Sequence, residues 1–417
     1  MTTKALVCGF SNSALASAEI ANVFGQTSGA GANEPDLRFY WTGADVSFSG
    51  LRAFITAGGS GTNTIDCRTN AAANGNQSAS RSGTGFLEDS NAGHIDTYST
   101  GTGWTIKATD TGTTPTYAYI AMTATFASGH YGLHATMNGT NIVYDVPDAT
   151  RFIGFSGAHQ ADGTTSEARA QWKNRAYSSW ESMFVRVGAN ARANDSIFRS
   201  RINGANGGMS CTFGAAVIGL VFDDDTGGGA ALAAGDLINY SISLVSGVQD
   251  LSVKMVGSVA LSSTNQADCI VMNTAGVART ASATASYYTM GGTGGTDATE
   301  GNVAVKTGFA GRASNLRIYS ANSYTGNGTL KLMKNGSAVI TLTITAGAAE
   351  GWLENTSDTA DFIATDTLSF EHDEGTSGTL TQYSFGITLD DTSGDGGSAV
   401  GIGLTEGILL SKRRLAA

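Results

Sequence analysis

The chain reads EPDLRFYW over residues 34–41, EARAQWKN over 167–174 and EGNVAVKT over 300–307. The three glutamates, Glu34, Glu167 and Glu300, are 133 residues apart, and each follows a Gly-rich loop. Three and five positions later come Leu37 and Phe39, Ala170 and Trp172, and Val303 and Val305. Apolar residues at a spacing of two belong to one face of a β-strand. A pattern that returns at fixed spacing marks an internal repeat, which governs how every other motif is read.

Working outward, the register persists. Leu51-Arg52-Ala53-Phe54-Ile55 corresponds to Met183-Phe184-Val185-Arg186-Val187 and to Leu316-Arg317-Ile318-Tyr319. Next, Phe86-Leu87-Glu88-Asp89 matches Val221-Phe222-Asp223-Asp224 and Trp352-Leu353-Glu354-Asn355. Gly103-Trp104-Thr105-Ile106 aligns with Gly235-Asp236-Leu237-Ile238 and Thr365-Asp366-Thr367-Leu368, a turn feeding a strand. The copies close on Tyr117-Ala118-Tyr119-Ile120, Leu251-Ser252-Val253-Lys254-Met255 and Tyr383-Ser384-Phe385-Gly386-Ile387. The expected units are residues 1–127, 128–261 and 262–390, followed by a tail over 391–417.

Each unit supplies about eight short segments rich in Thr, Val, Ile and aromatics, separated by Gly, Asn, Asp and Ser turns. Ser13 to Val23 has the best helical spacing, yet it aligns with strand-like positions and is read as strand or loop. The fold class is therefore all-β: three tandem, jelly-roll-like β-sandwich repeats of about 130 residues. The junctions near Ser128-Gly129-His130 and Ser262-Ser263-Thr264 are short and lack Pro. That favours close packing as a pseudo-trimer over beads on a string.

Composition excludes several functions. Only 14% of the 417 residues are charged, 56 are Gly, and the net charge is −11. An acidic chain has no basic field to collect phosphates, so nucleic acid is not an expected partner. The longest nearly unbroken apolar run, Gly214 to Phe222, has nine residues; a membrane helix needs roughly 20. Lys4 and the apolar stretch after it faintly resemble a secretory leader, but Gly9, Ser11 and Asn12 interrupt it. Cys8, Cys67, Cys211 and Cys269 are far apart and read as buried thiols.

Catalytic and metal signatures are sparse. No GxSxG elbow, P-loop, HExxH or dinucleotide fingerprint occurs, and no enzymatic activity or cofactor is expected. His130 and His134 are four apart, but on a strand that separates them by about 13 Å. Asp223-Asp224-Asp225, Asp390-Asp391 with Asp395, and the recurring glutamates offer oxygens to a cation without the full EF-hand spacing. The glutamates read as residues that hydrogen bond a strand start, because a catalytic pair needs two carboxylates placed differently around one bond. Trp41, Trp104, Trp172, Trp180 and Trp352 are expected mostly in cores. The only strong basic cluster lies in the tail, where Leu409, Leu410, Lys412, Arg413 and Arg414 are the candidate assembly anchor.

The turn Ala234-Gly235-Asp236-Leu237-Ile238, echoed by Thr365-Asp366-Thr367-Leu368, resembles the turn and strand found late in C1q- and TNF-like jelly rolls, modules that commonly assemble as trimers. In copy one Trp104 takes the place of the turn Asp. Composition, repeat and order of elements are similar to jelly-roll structural proteins of tailed bacteriophage virions, such as capsid decoration proteins, head fibres and tail appendages. The resemblance implies a non-enzymatic virion component whose partners are capsid or tail subunits, with possible self-association. The rival reading is a tail-associated adhesin that binds host polysaccharide through exposed Trp or Tyr.

Overall fold

The computed structural model describes residues 2–9, 13–15, 20–21, 38–40, 45–69, 73–137, 142–144, 149–158, 164–224, 230–244, 250–280, 284–292, 296–373, 375 and 377–393. Glu34, Trp41, His159, Asp225, Asp395 and the anchor residues Leu409, Leu410, Lys412, Arg413 and Arg414 lie outside them.

The first repeat contains β1 (Thr3–Gly9), β2 (Ser13–Ala14), β3 (Ile20–Ala21), β4 (Phe39–Tyr40), β5 (Val46–Ala57), β6 (Thr62–Thr69), β7 (Ala73–Ser82), β8 (Gly85–Glu88), β9 (Asp96–Tyr98), β10 (Gly103–Asp110) and β11 (Thr116–Phe126). The second contains β12 (His130–Met137), β13 (Ile142–Tyr144), β14 (Thr150–Ile153), β15 (Gly157–Ala158), α1 (Glu167–Ala170), β16 (Trp172–Lys173), β17 (Ser179–Asn190), β18 (Ser196–Ile202), β19 (Ala205–Phe213), β20 (Gly219–Asp224), β21 (Ala230–Ala231), β22 (Leu237–Leu244) and β23 (Leu251–Ser262). The third contains β24 (Gln266–Thr280), β25 (Ser286–Tyr288), α2 (Glu300–Val303), β26 (Val305–Lys306), β27 (Gly311–Asn322), β28 (Gly328–Lys334), β29 (Ser337–Ile344), β30 (Gly351–Phe362), β31 (Thr367–Asp373) and β32 (Thr379–Asp391).

The chain is all-β, and one strand order recurs along it. An inner sheet runs β1-β11-β5-β8, then β12-β23-β17-β20, then β24-β32-β27-β30, the latter two joined through β15. An outer sheet runs β3-β10-β6-β7, then β14-β22-β18-β19, then β25-β31-β28-β29. The short strands β4, β16 and β26 pair with β10, β22 and β31 at matching registers, Phe39↔Trp104, Trp172↔Ile238 and Val305↔Leu368.

Burial explains the two sequence textures. The central inner strands β11, β23 and β32 are buried almost throughout, so both their faces are covered. Edge strands such as β19 and β29 alternate buried with exposed residues, one face on the core and one toward water. The second covered face of the inner sheets is supplied by the neighbouring repeats, because β1, β12 and β24 pack against one another.

Two expectations need correction. Glu167 and Glu300 do not start strands; each opens a single helical turn, closed by the Gln171 and Ala304 N–H groups donating to the glutamate carbonyls. The apolar spacing survives because Trp172 and Val305 begin the short strands just beyond. Trp104 does not replace the turn Asp either. Its pairing with Phe39 gives it the core position of Ile238 and Leu368, whereas Asp236 and Asp366 sit two residues earlier and accept from Asn203 and Asn335 Nδ2, both at 2.7 Å.

Candidate functional site: the inter-repeat interfaces

In the third repeat Arg317 on β27 faces Glu354 on β30, and in the first Arg52 on β5 faces Glu88 on β8. In the second the same pairing joins Phe184 to Phe222. Phe222, not Asp223, is thus the counterpart of Glu88 and Glu354, one residue from the alignment the acidic runs suggest. Each of these pairs meets the short strand of another repeat at equivalent positions: Lys306, Lys173 and Tyr40.

The contacts run in a circle. Lys306 donates to both oxygens of Glu88 at 2.9 Å, joining the third repeat to the first. Lys173 donates to Glu354 at 2.7 Å, joining the second to the third. Tyr40 packs on Phe222 and Phe184 at ring separations of 5.6 and 6.0 Å, joining the first to the second. Head-to-tail contacts of this kind either extend indefinitely or close, and three closed copies make a ring. Two junctions use a Lys–Arg–Glu trio, and the third uses an aromatic trio in the same places. The hydrophobic cores follow the same path: Phe184 belongs to the core of the first repeat, Tyr119 to that of the third, and Met272 to that of the second.

The two arginines are seated alike. Gly50 and Asn315, two residues before them, adopt left-handed conformations with φ of 62° and 57°. A residue there turns its carbonyl out of the ladder, and Gly and Asn are the residues that tolerate it. Those carbonyls accept from Nη1 of Arg52 and Arg317 at 2.7 and 2.8 Å, and Thr123 and Thr388 accept at 3.3 and 3.2 Å. Beyond this the seats diverge. Arg317 donates from Nε to the Lys173 carbonyl at 2.9 Å and from Nη2 to Asp268 at 2.6 Å. Asp268 also accepts from Trp172 Nε1 at 2.8 Å and Thr388 Oγ1 at 2.7 Å, so this fully buried ion pair is closed by hydrogen bonds. Arg52 donates from Nη2 to the Thr307 carbonyl at 3.1 Å and, among the described residues, makes no hydrogen bond to a carboxylate, Glu88 opposite it acting through charge alone. The register places Leu6 where the third repeat has Asp268.

Glu354 is held below the usual carboxylate range: burial pushes it up, but hydrogen bonds from Arg175 and Lys173 outweigh that. Glu167 pairs with Arg201 at 2.8 Å, while Glu300 accepts from Ser369 at 2.9 Å. Asp223 accepts from the Ser210 N–H, and Asp391 from the Lys4 N–H at 2.6 Å. Among the described residues no group of three His, Cys, Asp or Glu is placed to hold a metal ion. Trp104, Trp172 and Trp180 are fully buried, and Trp352 is half-buried against Trp172 and Tyr319. These tryptophans fill cores and junctions, not an exposed binding platform. The four cysteines are unpaired. No helix of the described residues is long and apolar enough to cross a membrane.

His130 and His134 share β12 at its contact with the other repeats. His134 Nε2 lies 2.6 Å from the Tyr177 hydroxyl, whereas neither ring nitrogen of His130 has a hydrogen-bond partner. Burial lowers both imidazoles from 6.5 to about 4, with Asp268 opposing the shift at His134. Burial, helped by Arg279, lowers His372 to about 3. The unfolded chain therefore binds protons at these rings where the folded chain does not. Their contribution to stability is complete above pH 6.5 and is lost as pH falls toward 4. The urea midpoint is expected to fall across that window, and His130→Phe to make the fall shallower by up to one proton. Equal pH slopes for parent and variant would contradict the assignment of one of these protons to His130.

The cyclic contacts were not legible as such in the sequence. Arg52, Phe184 and Arg317 were in register, but nothing local pairs Lys306 with a glutamate 218 residues away.

No family model and no curated protein matches the chain. Among solved structures, the insecticidal delta-endotoxin Cry8Ea1 from Bacillus thuringiensis is similar at 11% identity with a TM-score of 0.17, over 60% of this chain and 60% of that one. A Bacillus thuringiensis Cry1Da tryptic core variant is similar at 10% identity with a TM-score of 0.15, over 62% of this chain and 59% of that one. The chain thus spans about 60% of the length of these two toxins, and similarity this low carries no argument about function.

Proposed function

We propose that the chain is a non-enzymatic structural protein on the exterior of a tailed-bacteriophage virion, a capsid decoration or head-fibre component. The observation that carries the reading is the closed ring. Three sandwiches joined head to tail through part-buried junctions form one closed block with pseudo-threefold faces, the kind of part that attaches to a symmetric lattice through surface complementarity. Its partners on this reading are capsid or tail subunits. The basic, apolar tail segment with Leu409, Leu410, Lys412, Arg413 and Arg414 is the proposed anchor, seated on an acidic neighbouring subunit.

The test is co-sedimentation of purified protein with phage shells that lack it, with the copy number read by mass photometry. Saturable, stoichiometric attachment is the expected result. A chain ending at Ser393 keeps the Asp391 contacts to Lys4 and Ser393 and should remain folded. Attachment of that shortened chain is expected to weaken at least about tenfold, since an ordered basic and apolar anchor contributes more than about 1.4 kcal/mol. Unchanged attachment would remove the tail from the proposal, and failure of the full chain to bind any shell would remove the proposal itself.

A further inference from the structure

We propose that the groove between the first and third repeats binds the carboxylate of an acidic sugar, a hexuronate, against Arg52. The site goes beyond the attachment reading and does not depend on it. The ring contains its own comparison, because the junction between the second and third repeats is built on the same plan and is filled. There, Arg175 lays its guanidinium on Glu354, with Nε and Nη2 at 3.2 and 2.7 Å from the carboxylate oxygens. Counting from the equivalent Lys173 and Lys306, the residue matching Arg175 is Gly308. Gly308 is left-handed, with φ of 79°, and a Cβ there would collide with Thr123 Oγ1, so no guanidinium is carried onto Glu88, and a groove of about 480 Å³ lies beside Arg52, within the size range of small-molecule sites.

Charge in the groove is unbalanced in a definite direction. Arg52 is 1% exposed, and only three of its five N–H donors are used, two on backbone carbonyls and one on Thr123. Its Nε has no partner, and burial lowers its affinity for the proton, with Tyr119, Glu88 and Cys8 opposing. Arg317, its counterpart, spends a donor on the buried Asp268 carboxylate. The acids that line the groove are already engaged. Glu88 is bonded to Lys306 through both oxygens, and Asp89 accepts from the Ser78 and Asn91 N–H groups and lies 2.9 Å from His94 Nδ1. Lys4 adds a further cation to the lining. Glu88, across the strand pair, acts on Arg52 through charge but makes no hydrogen bond to it, so a carboxylate that reaches the guanidinium adds the charge-assisted hydrogen bond that Glu88 does not supply. The rest of the wall mixes hydroxyl and amide groups, from Ser49, Asn91, Thr125 and Thr365, with the apolar Ala92, Ile95 and Ala364, a lining that can meet both the hydroxyls and the C–H faces of a sugar ring.

The experiment is ligand-observed NMR titration of the full chain with glucuronate, glucose and acetate. Saturable binding of glucuronate is expected, with glucose showing none at the same concentration and acetate binding at least about tenfold more weakly. Thr365→Trp adds bulk at an exposed rim residue and is expected to weaken glucuronate binding at least about tenfold with an unchanged melting temperature. Arg52→Gln should abolish binding if it folds; the rim variant decides the matter if it does not. The proposal is overturned if glucuronate fails to saturate, if glucose binds equally well, or if Thr365→Trp binds like the parent. Acetate as tight as glucuronate would overturn the assignment to a sugar.

Discussion

Arg317→Met is expected to destabilise the protein by about 3–5 kcal/mol, the usual result of leaving one member of a buried ion pair uncompensated. Both side chains of the Arg317–Asp268 pair are 0% exposed, so no water is at hand to resolvate the orphaned Asp268. The arginine also ties the third repeat to the second through the Lys173 carbonyl, so both the sandwich and the ring are affected. The double variant Asp268→Leu/Arg317→Met removes both charges, and the first repeat already carries Leu6 at the matching position. Recovery of most, but not all, of the loss is expected, because Trp172 Nε1 and Thr388 Oγ1 lose their acceptor. Urea denaturation followed by tryptophan fluorescence measures both variants. A single substitution costing less than about 1 kcal/mol would show that the pair is solvated in solution.

The second large effect is expected at the aromatic junction. Phe184 is fully buried and lies 5.1 Å from Phe39 and 6.0 Å from Tyr40, ring to ring across the boundary between the first two repeats. Phe184→Ala is expected to cost about 3–5 kcal/mol, from lost burial and the cavity left behind. Phe184→Arg should be worse, since it places a charge among Phe39, Tyr40 and Phe222. Adding Phe222→Glu and Tyr40→Lys then rebuilds the trio used at the other two junctions. The triple variant is expected to be more stable than Phe184→Arg alone, a non-additivity that neighbouring residues produce and distant ones do not. A triple variant less stable than the single one would refute the equivalence of the three junctions.

What was readable in the sequence followed from periodicity. Phe39, Trp172 and Val305 stand at equal offsets from the three glutamates, and the structure pairs all three with the same strand of their outer sheets. Such regularity survives divergence because a one-residue slip turns every side chain of a strand to the wrong face. The errors arose where local chemistry looked alike. Glu88-Asp89 and Asp223-Asp224 read as the same acidic turn, yet the strand partner of Phe184 is Phe222, and only the pairing reveals it. The helical turns at Glu167 and Glu300 were hidden because four residues are too few to display a helical period. The groove was invisible for a different reason. It depends on Gly308 standing where the equivalent residue is Arg175, and a glycine in a chain with 56 of them signals nothing by itself.

Covalent continuity gives the ring a property that three separate subunits would lack. A trimer of independent chains dissociates on dilution, because each junction must be regained by collision. Here each sandwich is held near its neighbours by the chain itself, at an effective concentration that does not change with dilution. The three junctions are also free to differ, since a substitution in one is not copied into the other two. A single particle could therefore stay assembled at vanishing concentration while one junction alone, the one opened by Gly308, diverges from the packing that its neighbours must keep.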